Sequence, residues 1–269
     1  MFFKALAGVP AVEVLGHRII WSAVLTTLLV LVLGKGPQLA AVFTDKKRLA
    51  GLAGSAVCIT VNWGFFIWAV GNGRALDASI GYFIYPLFSV LMGAVILRER
   101  MTPRQMLAVA LVSMGVAALA VGMGGIPWLV LAFPISFGLY GLLRKLVPVE
   151  ALVGLTVETL LLAPFALAFL LTRPDGGAFL SGGTHATALL ITAGPVTALP
   201  LMLFAYGARR LSMATLGLMQ YINPTMQMGI AVLLFGETFT STHLITFAFI
   251  WAGLILYSAP NLRRVSRAG

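Results

Sequence analysis

Long apolar runs separated by short polar or basic clusters dominate the chain, and they do not alternate apolar with polar positions. The strands of a transmembrane barrel are therefore disfavoured. The run lengths instead match the roughly 20 residues of helix that a hydrocarbon core about 30 Å thick requires. Val12–Leu33 is the first full run, and Leu49–Val70, Leu76–Leu97 and Pro103–Val121 follow. Pro127–Leu143, Ala151–Thr172, His185–Ala208, Met213–Phe235 and Thr240–Ala259 complete nine predicted spans. Met1–Leu6 is too short to cross a bilayer and has neither the basic start nor the cleavage site of a signal peptide. The pattern predicts an all-α polytopic membrane protein.

Composition agrees and narrows the function classes. Of the 269 residues, 60% are hydrophobic and 10% charged, against roughly 25% charged in a soluble domain. The net charge of +10 would point to nucleic acid in a soluble protein. Here its distribution gives a different meaning. Alternating the loops gathers Lys35, Lys46, Lys47, Arg48, Arg98, Arg100, Arg104, Arg144, Lys145, Arg209, Arg210, Arg263, Arg264 and Arg267 on one face. Only Lys4, Arg74 and Arg173 fall on the other, and Arg18 lies within a span. Basic loops mark the cytoplasmic side, so the C-terminus is expected in the cytoplasm and the protein in a bacterial inner membrane, with lipid as partner and no nucleic acid. The single cysteine, Cys58, allows no internal disulfide.

A weak internal repeat is visible. A shift of 138 positions places Pro86 on Pro224, Glu99 on Glu237, Thr102 on Thr240 and Gly115 on Gly253. The basic loop Arg98–Arg104 then corresponds to 236–243, which carries no Lys or Arg. Equivalent loops on opposite faces are the sign of inverted repeats with an odd number of spans, an architecture of alternating-access transporters. The expected organisation is a first repeat over 1–123, a second over 124–260 and a basic tail over 261–269. On this reading the first repeat is one helix short at its start.

Ionisable groups within spans are costly and are functional candidates by default. Glu158, about eight residues into its span, is the leading one, for proton coupling or for charge pairing with Arg18. A plain hydrogen bond to a neighbouring threonine is the alternative. His17 and Arg18 lie one to two turns into the first span; His17 can titrate near neutrality, and Arg18 can snorkel to the interface. Aromatic and amide residues cluster at Asn62-Trp63, Tyr82, Tyr85-Pro86 and Gln220-Tyr221-Ile222-Asn223-Pro224, with Tyr140 in the fifth span. Proline removes a backbone hydrogen bond, and the freed carbonyl needs protein or a water-lined cavity. Pro86 and Pro224 are thus candidate hinges beside a substrate site of Asn62, Trp63, Tyr82, Tyr85, Tyr140, Gln220, Tyr221 and Asn223. Interfacial anchoring and simple kinks remain the alternatives. Thr102-Pro103-Arg104-Gln105 reads as a helix start with a capping box. Glu99 and Glu237 read as helix-end charges, and His185 and His243 as incidental. No P-loop and no His/Cys metal cluster is present, so no cofactor and no metal is expected.

Several segments together resemble the drug/metabolite transporter superfamily, in particular the RarD-like group of EamA-type permeases. They are His17-Arg18-Ile19-Ile20-Trp21-Ser22, Asn62-Trp63, Phe66-Ile67-Trp68-Ala69-Val70 and Gly81-Tyr82-Phe83-Ile84. Further along stand Tyr140-Gly141-Leu142, Arg144-Lys145, Glu158-Thr159, Thr215-Leu216-Gly217, Gln220-Tyr221-Ile222 and Thr246-Phe247-Ala248-Phe249-Ile250-Trp251. The resemblance implies two inverted halves around a central cavity, ten helices in all, against the nine spans visible here. It also implies export or exchange of small organic solutes, with chloramphenicol sensitivity attached to the group. The expected function is a secondary transporter and not an enzyme. A passive facilitator and a membrane-embedded lipid enzyme are the competing classes.

Overall fold

The computed structural model describes Leu6 and residues 8–71, 75–122, 128–173, 176–223, 225–226 and 241–265. Its elements are all helices, and among the described residues there is no strand. In chain order they are α1 (Ala11–Val32), α2 (Gly36–Thr44), α3 (Lys46–Gly71), α4 (Ala75–Val95), α5 (Pro103–Gly122) and α6 (Trp128–Leu146). Then come α7 (Ala151–Leu171), α8 (Gly177–Ser181), α9 (Gly183–Arg210), α10 (Met213–Met219) and α11 (Ser241–Val265). Among the described residues, α1, α7, α9 and the 46–66 part of α3 are long and apolar enough to cross a membrane. The protein is an all-α polytopic membrane protein.

Local sequence explains where helices begin and end. α1 stops in a Schellman turn: Lys35 N–H donates to the Val30 carbonyl at 2.8 Å and Gly34 N–H to that of Leu31 at 3.1 Å. Gly34 sits at φ +66°, the left-handed conformation that glycine adopts without strain. α5 opens with the expected capping box. Thr102 N–H donates to Gln105 Oε1 at 2.8 Å, and Gln105 N–H returns a bond to Thr102 Oγ1 at 3.3 Å. α10 starts at Ser212, whose hydroxyl accepts from Thr215 N–H at 3.1 Å. Glu99 acts as the helix-end charge foreseen for it, accepting the Met213 N–H at 3.0 Å on both carboxylate oxygens. Glu237 and the other half of that comparison lie outside the described residues.

The chain forms two compact units. The first comprises Met1–Gly73 with Leu139–Arg210, the second Arg74–Gly138 with Leu211–Gly269. In unit 1, α1 packs along α7 and α9. It runs antiparallel to α7: Glu13 near its start faces Arg173 beyond the end of α7, and Lys35 beyond its own end pairs with Glu150 before α7. Apolar surfaces gain little from leaving lipid, so close backbone packing by small residues carries helix association. Gly194 of α9 lies against Trp21 and Ser22, and Ser22 donates to the Gly194 carbonyl at 3.1 Å. Val30, Leu52, Val147, Val153 and Val157 fill a core at the Lys35 end.

Unit 2 is built on two close crossings. Gly253 of α11 packs onto the Ala108 carbonyl and Val112 of α5. Gly217 of α10 packs onto the Pro86 carbonyl and Ser89 of α4, and Ser89 donates to the Met213 carbonyl at 2.9 Å. Tyr221, Tyr257, Leu218, Ile250, Ala108 and Val112 form its core.

The segments around the two candidate proline hinges differ. Pro86 lies inside α4 without interrupting it. The predicted span Met213–Phe235, in contrast, is not one straight helix at its start. α10 ends at Met219, where Gln220 and Tyr221 N–H bond three residues back to Gly217 and Leu218. Pro224 itself lies outside the described residues. Two further short helices, α2 and α8, occupy stretches that the apolar pattern leaves as loops.

Candidate functional site

Glu158 lies near the start of α7, in a helix whose first nine residues are all buried. Its partner is Arg144, from the last turn of α6. Arg144 Nη1 stands 3.4 Å from Glu158 Oε1, with side-chain exposures of 0% and 2%. Arg144 Nη2 donates to the Ala151 carbonyl at 3.1 Å, and Ser55 of α3 donates to Glu158 Oε1. Three helices thus converge on one carboxylate. Gly154 makes room: it stands one turn before Glu158, and any Cβ there would overlap the Arg144 guanidinium. Thr159 extends the polar interior to α1, its hydroxyl 3.5 Å from that of Thr26.

The network is only partly satisfied. Glu158 Oε2, Arg144 Nε and Arg144 Nη1 have no hydrogen-bond partner among the described groups. The 3.4 Å separation also exceeds the roughly 2.7–2.9 Å of a charge-assisted hydrogen bond. A buried pair of this kind gains little net stability, whereas removal of one partner is expensive. Its leftover acceptor and donors can take a proton, a water or an ionic group of a solute.

Arg18 is placed elsewhere in unit 1. Its Nε donates to Thr197 Oγ1 at 2.9 Å, and its guanidinium lies 4.6 Å over the Trp63 ring. The cation facing Glu158 is therefore Arg144, not Arg18. His17 is buried and stacks on Phe179 of α8 with centroids 4.9 Å apart. Asn62 is buried, and so is Tyr140, which stacks on Phe204 at 5.8 Å. Asn62, Trp63, Tyr140, Glu158, His17 and Arg18 thus all belong to unit 1.

Tyr82, Tyr85, Gln220, Tyr221 and Asn223 belong to unit 2. Tyr85 is buried with its ring edge-on to Phe137 at 4.9 Å, and Tyr82 meets Phe133 at 5.8 Å. Tyr221 sits in the unit core, Gln220 is half-buried and Asn223 is exposed.

Sequence reasoning missed two contributors. Arg144 reads as one more loop cation beside Lys145, yet it is buried within a helix end. The signal that finds it is Gly154 four residues before Glu158, a vacancy on the carboxylate's own face. Glu13 lies inside the apolar first run, where one acid near a helix start draws no attention, yet it is buried, accepts from Ala178 N–H and faces Arg173 at 3.7 Å. His185 is exposed beside it, at an open cleft.

The profile of the EamA-like transporter family matches residues 1–121. An uncharacterized transporter of Pseudomonas aeruginosa is 44% identical, over 100% of this chain and 92% of its own length. Protein RarD of Escherichia coli is 40% identical, over 95% of this chain and 87% of its own. The Chloramphenicol-sensitive protein RarD of Pseudomonas aeruginosa is 34% identical, over 100% and 92%. A solved structure shares the fold with a TM-score of 0.71 at 18% identity, over 95% of this chain and 90% of that one.

Proposed function

Since the chain belongs to the EamA-like transporter family, in its RarD-like group, we propose that it is a secondary exporter or exchanger moving small organic solutes by alternating access. Membership makes it a membrane transporter of the drug/metabolite class; direction, solute and coupling are our reading. The inverted repeats over 1–123 and 124–260, inner-membrane residence and a cytoplasmic C-terminus belong to that reading and rest on the loop charges.

The observation that carries it is the under-satisfied pair of Glu158 and Arg144, with Ser55, inside the first unit. Ionisable residues inside a membrane mark solute or proton pathways. While Glu158 is ionised, its charge is held by Arg144. The spare oxygen of Glu158, Oε2, takes either a proton or an ammonium group of a solute, so the two compete for it, as proton-driven export requires. Proton and solute then alter each other's affinity through one pair, as thermodynamic linkage requires.

Proteoliposomes test this. Glu158→Gln mimics the protonated acid, so proton-driven uptake should be lost while one-for-one solute exchange persists. Chloramphenicol, suggested by the name of one relative, and free amino acids are the first probes. Full gradient-driven transport by the variant would refute the coupling role. Flux in the wild type that never exceeds equilibrium would make the protein a facilitator instead.

A further inference from the structure

The end of unit 1 away from Arg144 holds a second pair of opposite charges, which the coupling role of Glu158 does not use. Glu13 stands in the first turn of α1, and Arg173 follows the end of α7 by two residues. Both therefore stand at span ends, the depth of lipid headgroups. An open cleft of about 510 Å³ lies between Glu13, Arg173, Pro10, Ser181 and Ala186. That volume falls within the roughly 300–1,000 Å³ of small-molecule sites.

The two charges do not satisfy one another. Arg173 Nε is 3.7 Å from Glu13 Oε2, beyond hydrogen-bond range, and has no hydrogen-bond partner among the described groups. Glu13 commits its other oxygen, Oε1, to Ala178 N–H. At 2% exposure its side chain cannot turn away. A ligand that completes both groups needs an oxyanion for the guanidinium and an N–H donor for Oε2.

The surface leading away from Arg173 is apolar and uncovered. Phe169 lies beneath the guanidinium, 5.5 Å from its carbon. Phe165 stands one turn further along the same face of α7 and is 75% exposed. Arg173 thus caps an aromatic strip that runs into the membrane. A soluble zwitterion would use the charges and ignore the strip, whereas a phospholipid uses both. We infer that the cleft binds a phospholipid with a primary-amine headgroup, of the phosphatidylethanolamine type. Its phosphate lies on the Arg173 guanidinium, whose planar fork of donors suits that anion. Its ammonium donates to Glu13 Oε2, and an acyl chain follows Phe169 and Phe165. A headgroup with the phosphate alone is repelled by Glu13, and a trimethylated ammonium has no N–H to donate. The lipid is a fixed partner and not a transported solute. It also braces α8, because the same Glu13 holds the first turn of that helix through Ala178.

The test uses the full chain in detergent and follows its thermal unfolding with three lipids at equal mole fraction. They are dilauroyl phosphatidylethanolamine, phosphatidylcholine and phosphatidylglycerol. A ligand that binds the folded state alone raises Tm as its concentration exceeds Kd. The ethanolamine lipid should raise Tm by a few degrees more than the other two. Glycerophosphoethanolamine, the same headgroup without acyl chains, should give no shift at the same concentration. Glu13→Gln and Arg173→Gln should each reduce the ethanolamine lipid to the level of the choline lipid. Ala186→Trp fills the cleft without removing either charge and should do the same, which keeps the test decisive if the charge variants fail to fold. Equal shifts for the three lipids, or an ethanolamine preference that survives Ala186→Trp, would overturn the assignment. A full shift with glycerophosphoethanolamine would also overturn it, in favour of a soluble ligand.

Discussion

The two units solve the same packing problem with different interiors. Unit 1 buries Glu13, His17, Arg144 and Glu158. In unit 2, among the described residues, the buried polar side chains are neutral, such as Ser89 and Ser136, and Glu99 sits at a helix end. The glycine-on-backbone crossings at Gly217 and Gly253 involve no charged side chain among the described residues. Packing at these two crossings therefore uses no buried ion. The retention of buried ions in unit 1 points to a task that needs a group able to change its charge, since apolar replacements of a buried pair are often as stable.

The largest effect should follow from splitting the pair. Arg144→Met leaves Glu158 buried without a counter-charge and should destabilise the protein by about 3–5 kcal/mol. Adding Glu158→Met should restore most of the loss. Unfolding in mixed detergent measures both, and a double variant no better than the single one would mean the pair is not the relevant contact. Overpacking comes next. Gly253→Ala places a Cβ 2.7 Å from the Ala108 carbonyl oxygen and should cost about 1–3 kcal/mol. Gly154→Ala should cost a similar amount, but for a different reason, because its Cβ displaces a guanidinium. Arg144→Met should therefore rescue Gly154→Ala and leave Gly253→Ala untouched.

Smaller effects mark the limits of the contrast. Thr215→Val in unit 2 removes the hydroxyl contact with Tyr257, 2.7 Å long, for about 0.5–1.5 kcal/mol. Arg48→Ala removes a half-exposed pair with Asp45 at 3.0 Å and should change stability by only about 0–1 kcal/mol. A large loss there would show that charge matters at the surface as much as in the interior.

The long helices of unit 1 were legible because length and hydropathy alone delimit a span: the reading Val12–Leu33 differs from α1 by one residue at each end. The capping box at Thr102 was legible for a similar reason, since all its partners lie within four residues. Glu158 stood out as an acid in apolar text, but its partner did not. Arg144 follows Leu142-Leu143 and precedes Lys145, a pattern identical to a span ending in a basic loop. Only the contact with a glycine on another helix reveals it, and contacts between helices leave no periodic trace. The two prolines teach the same lesson. Pro86 and Pro224 look equivalent along the chain, yet α4 runs through the first, while the helix of the second's segment is interrupted at Gln220 and Tyr221 before it resumes at Ile222. Short helices such as α8, of five residues, escape because one turn has no hydropathy pattern.

Infrared difference spectroscopy of the carboxyl stretch tests the central claim most directly, because it reads the proton on Glu158 without a known substrate. The full chain in lipid is titrated between alkaline and acidic buffer, and its spectra are compared with those of Glu158→Gln and Arg144→Met. A carboxylic-acid band that appears reversibly on acidification, is absent from Glu158→Gln and persists to more alkaline buffer in Arg144→Met is the predicted result. If no band depends on residue 158 at any pH at which the protein stays folded, the pair is a fixed structural ion pair and the coupling account is wrong.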